Sequence, residues 1–469
     1  MTMVPSFPAG RLGFYADDFT GGTANLANFQ RAGLNAIMFL STPDLDAVSR
    51  HAADSDVVGI AGIARSMRPE AMPAEIEPAF RLFAALAMRV IQYKVCSTFD
   101  SSPGIGNLAT VMECARRLFP SALATIPVVP ACPRSGRYTA FANHYARYGG
   151  TVHRIDRHPV MSVHPSTPMR EADLRRHLKI QGVERVGLVA IDALTRGVEA
   201  AERAFLLEAA GSADAVIFDG MTDADVATTA QLIWDLSARQ PVMTIAAQDL
   251  ALHLGRRAAT TQARRASRGS LTDVDRMLVF SGSASSQNGA QVSHALQLGW
   301  AGIALDPVTL LSEETRRQAS ERLHAQIDAC LSAGRSAIIY TATGPDDPML
   351  GTATDAAKRA GIATDIFSGL IGDAFGDLAA RAVRGHRLRR LVFAGGDTSS
   401  HAMRRLAAFA LTIAGSRASG GNITTLRSDD PEFDGLEVLL KGGQVGAPDI
   451  FVKTLTGAEW ITQNGTDGS

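Results

Sequence analysis

The chain has 469 residues, 46% of them hydrophobic and 20% charged, with a formal net charge of −1 at pH 7. That length predicts two domains, and the near-neutral balance excludes the broad basic surface of a nucleic-acid binder. Four cysteines without CxxC spacing (Cys96, Cys114, Cys132, Cys330), a start without a signal-peptide pattern and no bilayer-length apolar run predict a cytoplasmic protein with free thiols and no membrane partner.

In the first half, apolar strands expected over 11–16, 36–40, 57–63, 91–95, 124–129, 186–190 and 215–218 alternate with amphipathic helices over 23–32, 77–90 and 108–119. Such alternation implies right-handed crossovers and a mainly parallel sheet, with ligands at the carboxyl ends of the strands. The first strand runs into Asp17-Asp18-Phe19-Thr20-Gly21-Gly22. Adjacent residues leave a strand in different directions, so one aspartate can cap the next helix while the other faces a cleft to bind substrate hydroxyls or take a proton. Lys94 ends another strand and opens a loop carrying Ser97, Thr98 and Asp100. A sugar acid calls for this mixture, a lysine for the carboxylate and hydroxyls and an acid for the hydroxyl groups. Arg65, just past the 57–63 strand, adds a bidentate carboxylate clamp. The run His153 to His158 with His164 matches no standard zinc spacing, so no metal site is expected there. A helix is expected from Thr167 as cap and Pro168 as first residue, with Arg175, Arg176 and His177 late.

The pattern breaks between 255 and 276, where arginines sit among small polar residues, and this stretch is expected as a linker between domains 1–254 and 277–469. Beyond it come strands over 277–280, 302–305, 336–340, 390–393 and 437–440, and helices over 287–298, 313–333, through 369–385, and over 398–413. Three strand ends carry small or glycine-rich turns. They are Ser281-Gly282-Ser283, Gly395-Gly396-Asp397-Thr398 and Lys441-Gly442-Gly443. Backbone N–H groups in such turns cradle phosphates, and three in one domain point to a polyphosphate. Neither GxxxxGK[ST] nor GxGxxG occurs. Asp397 is expected either at Mg²⁺ or as the cap of the following helix.

These segments, in this order, resemble the four-carbon acid sugar kinase family. The matching pieces are Ala16-Asp17-Asp18-Phe19-Thr20-Gly21, Tyr93 to Ser101, Thr167-Pro168-Met169 with Asp173-Leu174-Arg175, Ser281-Gly282-Ser283, Ala394 to Ser399, and Lys441-Gly442-Gly443 through Phe451. The resemblance implies an α/β protein of two domains, each a mainly parallel sheet flanked by helices, with an interdomain cleft. It implies ATP and Mg²⁺ as cofactors and a small-molecule sugar acid as partner, and leaves a homodimer open. Motif by motif, Asp17, Arg65 and Lys94 to Ser97 would bind the acid. Ser281 or Ser283, Gly395 to Thr398 and Gly442 would bind ATP. Asp17 is expected as the base, with Asp397 its rival. The Cys96-Ser97-Thr98-Phe99-Asp100-Ser101 loop is similar to the branch acting on 3-oxo acids. Gly59 to Ser66 with Met161 to Pro165 is similar to a subgroup for which 3-oxo-isoapionate is a candidate substrate.

The chain departs from the family pattern at Ile245 to Asp249, Ser285 to Asn288 and Ala418 to Asn422. Substrate contacts are expected to differ at the first and ATP contacts at the other two. Two alternatives accompany the kinase reading. One is a catalytically silent sugar-acid sensor, and the other is a nicotinamide-dependent dehydrogenase, which the missing fingerprint disfavours.

Overall fold

The computed structural model describes residues 10–164, 166–261, 271–416 and 421–460. The chain divides into two compact units, Met1–Ala266 and Ser267–Ser469. Among the described residues no helix is long and apolar enough to cross a membrane.

The first unit is built on β1 (Leu12–Ala16), β2 (Ala36–Phe39), β3 (Val57–Ala61), β4 (Val90–Lys94), β5 (Ile126–Val129), and then, after a separate hairpin layer, β9 (Val186–Val189), β10 (Ala215–Phe218) and β11 (Val242–Ala246). The hairpin layer is β6 (Arg137–Ala140), β7 (Asn143–Tyr148) and β8 (Thr151–Arg154), an antiparallel three-stranded sheet. The main sheet runs β2-β3-β1-β4-β11-β5-β10-β9 and its pairs are parallel. β1 and β4 are buried at every residue, as near-continuous apolar strands covered on both faces should be. The chain steps outward from β1 to β2, returns to β3, then crosses over β1 to β4. That reversal opens a crevice at the carboxyl ends of β3, β1 and β4. Beneath it, Tyr15 and Tyr93 stack with ring centroids 5.5 Å apart and Phe14 stacks on Phe29 at 5.9 Å. Each such ring contributes roughly 1.5–3 kcal/mol through burial.

The second unit repeats the device with β12 (Leu278–Ser281), β13 (Ala301–Ala304), β14 (Ala337–Tyr340), β15 (Arg390–Ala394), β16 (Ala408–Ser416), β17 (Asn422–Ser428) and β18 (Glu437–Lys441), ordered β13-β14-β12-β15-β18-β17-β16. β13 to β15 and β18 are parallel to their neighbours around β12, and β17 is antiparallel to β16 and β18. The reversal falls between β12 and β15. Arg390, fully buried at the other end of β15, is spent on structure: it pairs with Glu437 and donates to the carbonyls of Thr454 and Thr272.

Three expectations need correction. The helix expected from Thr167 spans Leu174–Ile180 and is capped by Asp173, because the Thr167 hydroxyl is engaged elsewhere. The helix expected over 398–413 ends at Met403, and 408–416 is β16. Ala407, at φ 50°, breaks the helical path and pairing with β17 overrides the helix propensity of alanine and leucine. Helix Asp249–Thr261 fills the first part of the stretch expected as linker, whereas 262–270 lies outside the described residues. The hairpin layer, β11 and β17 were not anticipated.

Candidate active site

Both aspartates after β1 have distinct tasks. Asp18 is the cap of helix Phe19–Arg31, accepting from the Gly21 N–H at 3.0 Å. Its Oδ1 also meets Lys94 Nζ at 3.1 Å, and its Oδ2 meets Arg65 at 3.4 Å. Although burial opposes it, the Lys94 ammonium and Arg65 guanidinium hold the Asp18 carboxyl well below the usual carboxylate range. Gly21 permits this packing, since a methyl on it would fall 1.6 Å from Lys94 Nζ.

Asp17 has the opposite environment. It is 4% exposed, its backbone is fixed by Lys94 and Arg65, and its Oδ1 is buried with no hydrogen-bond partner. Burial pushes its carboxyl far above the usual range, the negative charge of Asp18 adds to this, and Lys94 and Arg65 oppose it. The two adjacent carboxyls thus sit in environments that drive them apart, Asp18 held as an anion and Asp17 pushed towards its protonated form.

The lysine loop is rigid. Phe99 sits at φ 58° and its N–H closes a turn onto the Cys96 carbonyl at 2.9 Å. Thr98 Oγ1 donates to Asp100 Oδ1 at 2.5 Å, and Thr167 Oγ1 donates to Asp100 Oδ2 at 3.3 Å. Thr98 and Asp100 are therefore committed to shaping the loop, whereas Ser97 stays half-buried. Buried His144 braces the Ser97 carbonyl at 2.9 Å and takes Thr139 on its other nitrogen at 3.0 Å. Burial drives the His144 imidazole down to about 4, so it is a neutral strut. Burial likewise pushes the Cys96 thiol up to about 11, which removes thiolate chemistry. His164 Nδ1 accepts from the Thr167 N–H at 3.2 Å, which leaves the proton of this tautomer on Nε2. The structure thus brings Asp17, Asp18, Arg65 and Lys94 together, with the other three predicted residues as their frame. Sequence reasoning missed the strut His144 and read Thr167 as a helix cap.

In the second unit the three turns also converge. Ser285 caps helix Ser286–Gln297 and its Oγ donates to the Gly443 carbonyl at 2.6 Å. Gln287 and Gln291 donate to the Gly446 carbonyl, so the departure from the family pattern at Ser285 to Asn288 staples the Gly442-Gly443 loop in place. A Cβ on Gly443 would fall 2.0 Å from Ser283 Oγ, and one on Gly282 would fall 2.8 Å from Thr398 Oγ1. Gly395, at φ 137°, caps helix Gly396–Met403 and sits over the Gly282-Ser283 backbone. This is a backbone-lined cradle with hydroxyl donors, which suits phosphate oxygens. Ser281 is fully buried and receives the Asn288 amide, so Ser283 is the serine nearer the cradle surface. Asp397 lies inside the helix and is not its cap; its side chain, like Ala418 to Gly420, lies outside the described residues. Gly443→Ala is expected to weaken ATP binding about tenfold or more by displacing Ser283. Calorimetry checks this, and an unchanged Kd would contradict it.

Residues 12–254 match the model of a sugar-binding N-terminal domain and residues 278–451 that of a nucleotide-binding C-terminal domain. A 3-oxo-isoapionate kinase from Paraburkholderia graminis is 34% identical over 96% of this chain and 95% of its own length. A 3-oxo-tetronate kinase from Cupriavidus necator is 30% identical over 95% of this chain and 96% of its own. A Salmonella typhimurium LT2 structure described as a putative tRNA synthase shares the fold, with a TM-score of 0.77 at 22% identity over 94% of this chain and 98% of that one. With both domain models matched across most of its length, the chain belongs to the four-carbon acid sugar kinase family.

Proposed function

We propose that this protein is an ATP-dependent kinase that phosphorylates a hydroxyl of a short 3-oxo sugar acid, with the branched 3-oxo-isoapionate as its preferred substrate. The observation that carries the proposal is the buried, unpartnered Asp17 carboxyl set beside Lys94 and Arg65. The choice of substrate follows the 34% likeness to the 3-oxo-isoapionate kinase.

In this reading Arg65 and Lys94 hold the substrate carboxylate, and Asp18 keeps both cations charged and in position. Asp17 accepts the proton from the substrate hydroxyl as its oxygen bonds to the γ-phosphorus. The bond from that phosphorus to the β,γ-bridging oxygen breaks and ADP leaves with the electron pair. Ser283, Gly395, Gly396, Thr398, Gly442 and Gly443 bind the phosphate chain, so catalysis is mainly positioning and charge neutralisation.

Among the described residues no cluster of three His, Cys, Asp or Glu side chains could cage a metal. Mg²⁺ binds mainly to phosphate oxygens and water with one or two carboxylates, and the family resemblance offers Asp397 as the carboxylate to hold it. Bound there, Mg²⁺ supplies charge neutralisation at the phosphates.

The test is ADP release with Mg·ATP across 3-oxo-isoapionate, 3-oxo-tetronates and tetronates. Turnover should be fastest on the branched 3-oxo acid. A protein that binds ATP and the acids yet turns over none of them would favour the silent sensor.

A further inference from the structure

β18 ends on a lysine, as β4 does, but the surroundings differ. Lys441 is 2% exposed, yet among the described residues its ammonium meets no carboxylate. Its polar contact is neutral: Nζ donates to Asn288 Oδ1 at 3.1 Å, with the Phe451 ring 5.7 Å away. Burial without a counter-charge lowers its pKa to about 8. A buried cation normally has a partner because desolvation penalises it strongly. Lys94 obeys that rule through Asp18, and Lys441 breaks it.

Its place in the fold says why. Asn288, whose Oδ1 it holds, donates its Nδ2 to Ser281 Oγ at 2.6 Å and to the Ser283 carbonyl at 3.0 Å. The Lys441 carbonyl accepts from the Gly395 N–H at 3.0 Å. Lys441 thus lies one amide group below the Ser281-Gly282-Ser283 turn, is tied through its backbone to the Gly395 turn, and directly precedes the Gly442-Gly443 turn. All three turns of the cradle meet at this residue, and their backbone and hydroxyl donors carry only partial charge.

We infer that Lys441 is the cation of the nucleotide site: its ammonium neutralises the phosphate chain of ATP, and Asn288 couples it to the turn that holds the phosphates. This rests on the assignment of the second unit's cradle to ATP. The phosphates then supply the counter-charge that the described residues do not.

The role carries a sign that a structural lysine would not have. Lys441→Met removes a buried charge and, among the described residues, orphans no carboxylate but only the neutral Asn288 Oδ1, so the ligand-free variant should be as stable as the wild type or more so. The same variant should bind ATP about 10- to 100-fold more weakly, while adenosine, which lacks phosphates, should bind as it does to the wild type. Calorimetric titration of the full-length protein with ATP, ADP and adenosine, alongside thermal unfolding, reads both effects. Equal ATP affinity in variant and wild type would overturn the inference, as would equal losses for ATP and adenosine with a lowered unfolding midpoint. A wild-type protein that binds no ATP would instead overturn the nucleotide assignment and the inference with it.

Discussion

Asp17→Asn is expected to lower kcat by about a hundred- to ten-thousand-fold, the range a positioned general base contributes, while ATP affinity stays unchanged. The amide keeps the size of the side chain but cannot accept a proton. Because the wild-type carboxyl is pushed up to about 8, kcat/KM should rise with pH through the neutral range, and the residual activity of the variant should lose that limb. Stability gives a control of opposite sign. The folded-state pKa of Asp17 is raised above its unfolded value, so its contribution is fully present in acid and is lost as pH rises through about 8. The asparagine has nothing to ionise, so at pH 8 the variant should unfold no earlier than the wild type. A variant with near-normal kcat would remove Asp17 as the base.

Lys94→Met should have the second largest effect, and it should fall on binding and stability together. Lys94 is 2% exposed, and its ammonium sits on Asp18, itself mostly buried. Removing one partner of a buried pair costs about 3–5 kcal/mol, and the lower end applies because Asp18 keeps Arg65 and the Gly21 N–H. The acid substrate loses a charge-assisted contact, so its KM should rise about 10- to 100-fold with ATP binding intact. Arg65→Lys, which retains charge but loses the bidentate fork, should raise KM without the stability loss. A Lys94→Met protein with unchanged KM for the sugar acid would place the carboxylate elsewhere.

The strand ends and their polar turns could be read from residue order because the rule behind them is local. A parallel strand buried on both faces is an apolar run, and whatever polar residue follows it stands at the crevice. Asp17, Arg65 and Lys94 were found that way. What could not be read depended on contacts distant in sequence. The division of labour between Asp17 and Asp18 is set by Lys94 and Arg65, and the commitment of Asp100 is set by Thr167. The antiparallel strands β16 and β17 carry alanine, leucine and threonine in an order that suits helix as well as strand, and only their mutual pairing decides. Lys441 had a signal that went unused: the reasoning that singled out Lys94, a lysine closing a buried strand, applies to it unchanged.

In the proposed reaction Asp17 and the lysine–arginine pocket of the first unit direct the γ-phosphoryl group of ATP to a hydroxyl of a short 3-oxo sugar acid. The most direct measurement follows the label from γ-³²P-ATP with 3-oxo-isoapionate, Mg²⁺ and either wild type or Asp17→Asn. Label should appear in the sugar acid with wild type and almost none with the variant. Label released only as inorganic phosphate, or transferred equally well by both proteins, would contradict it.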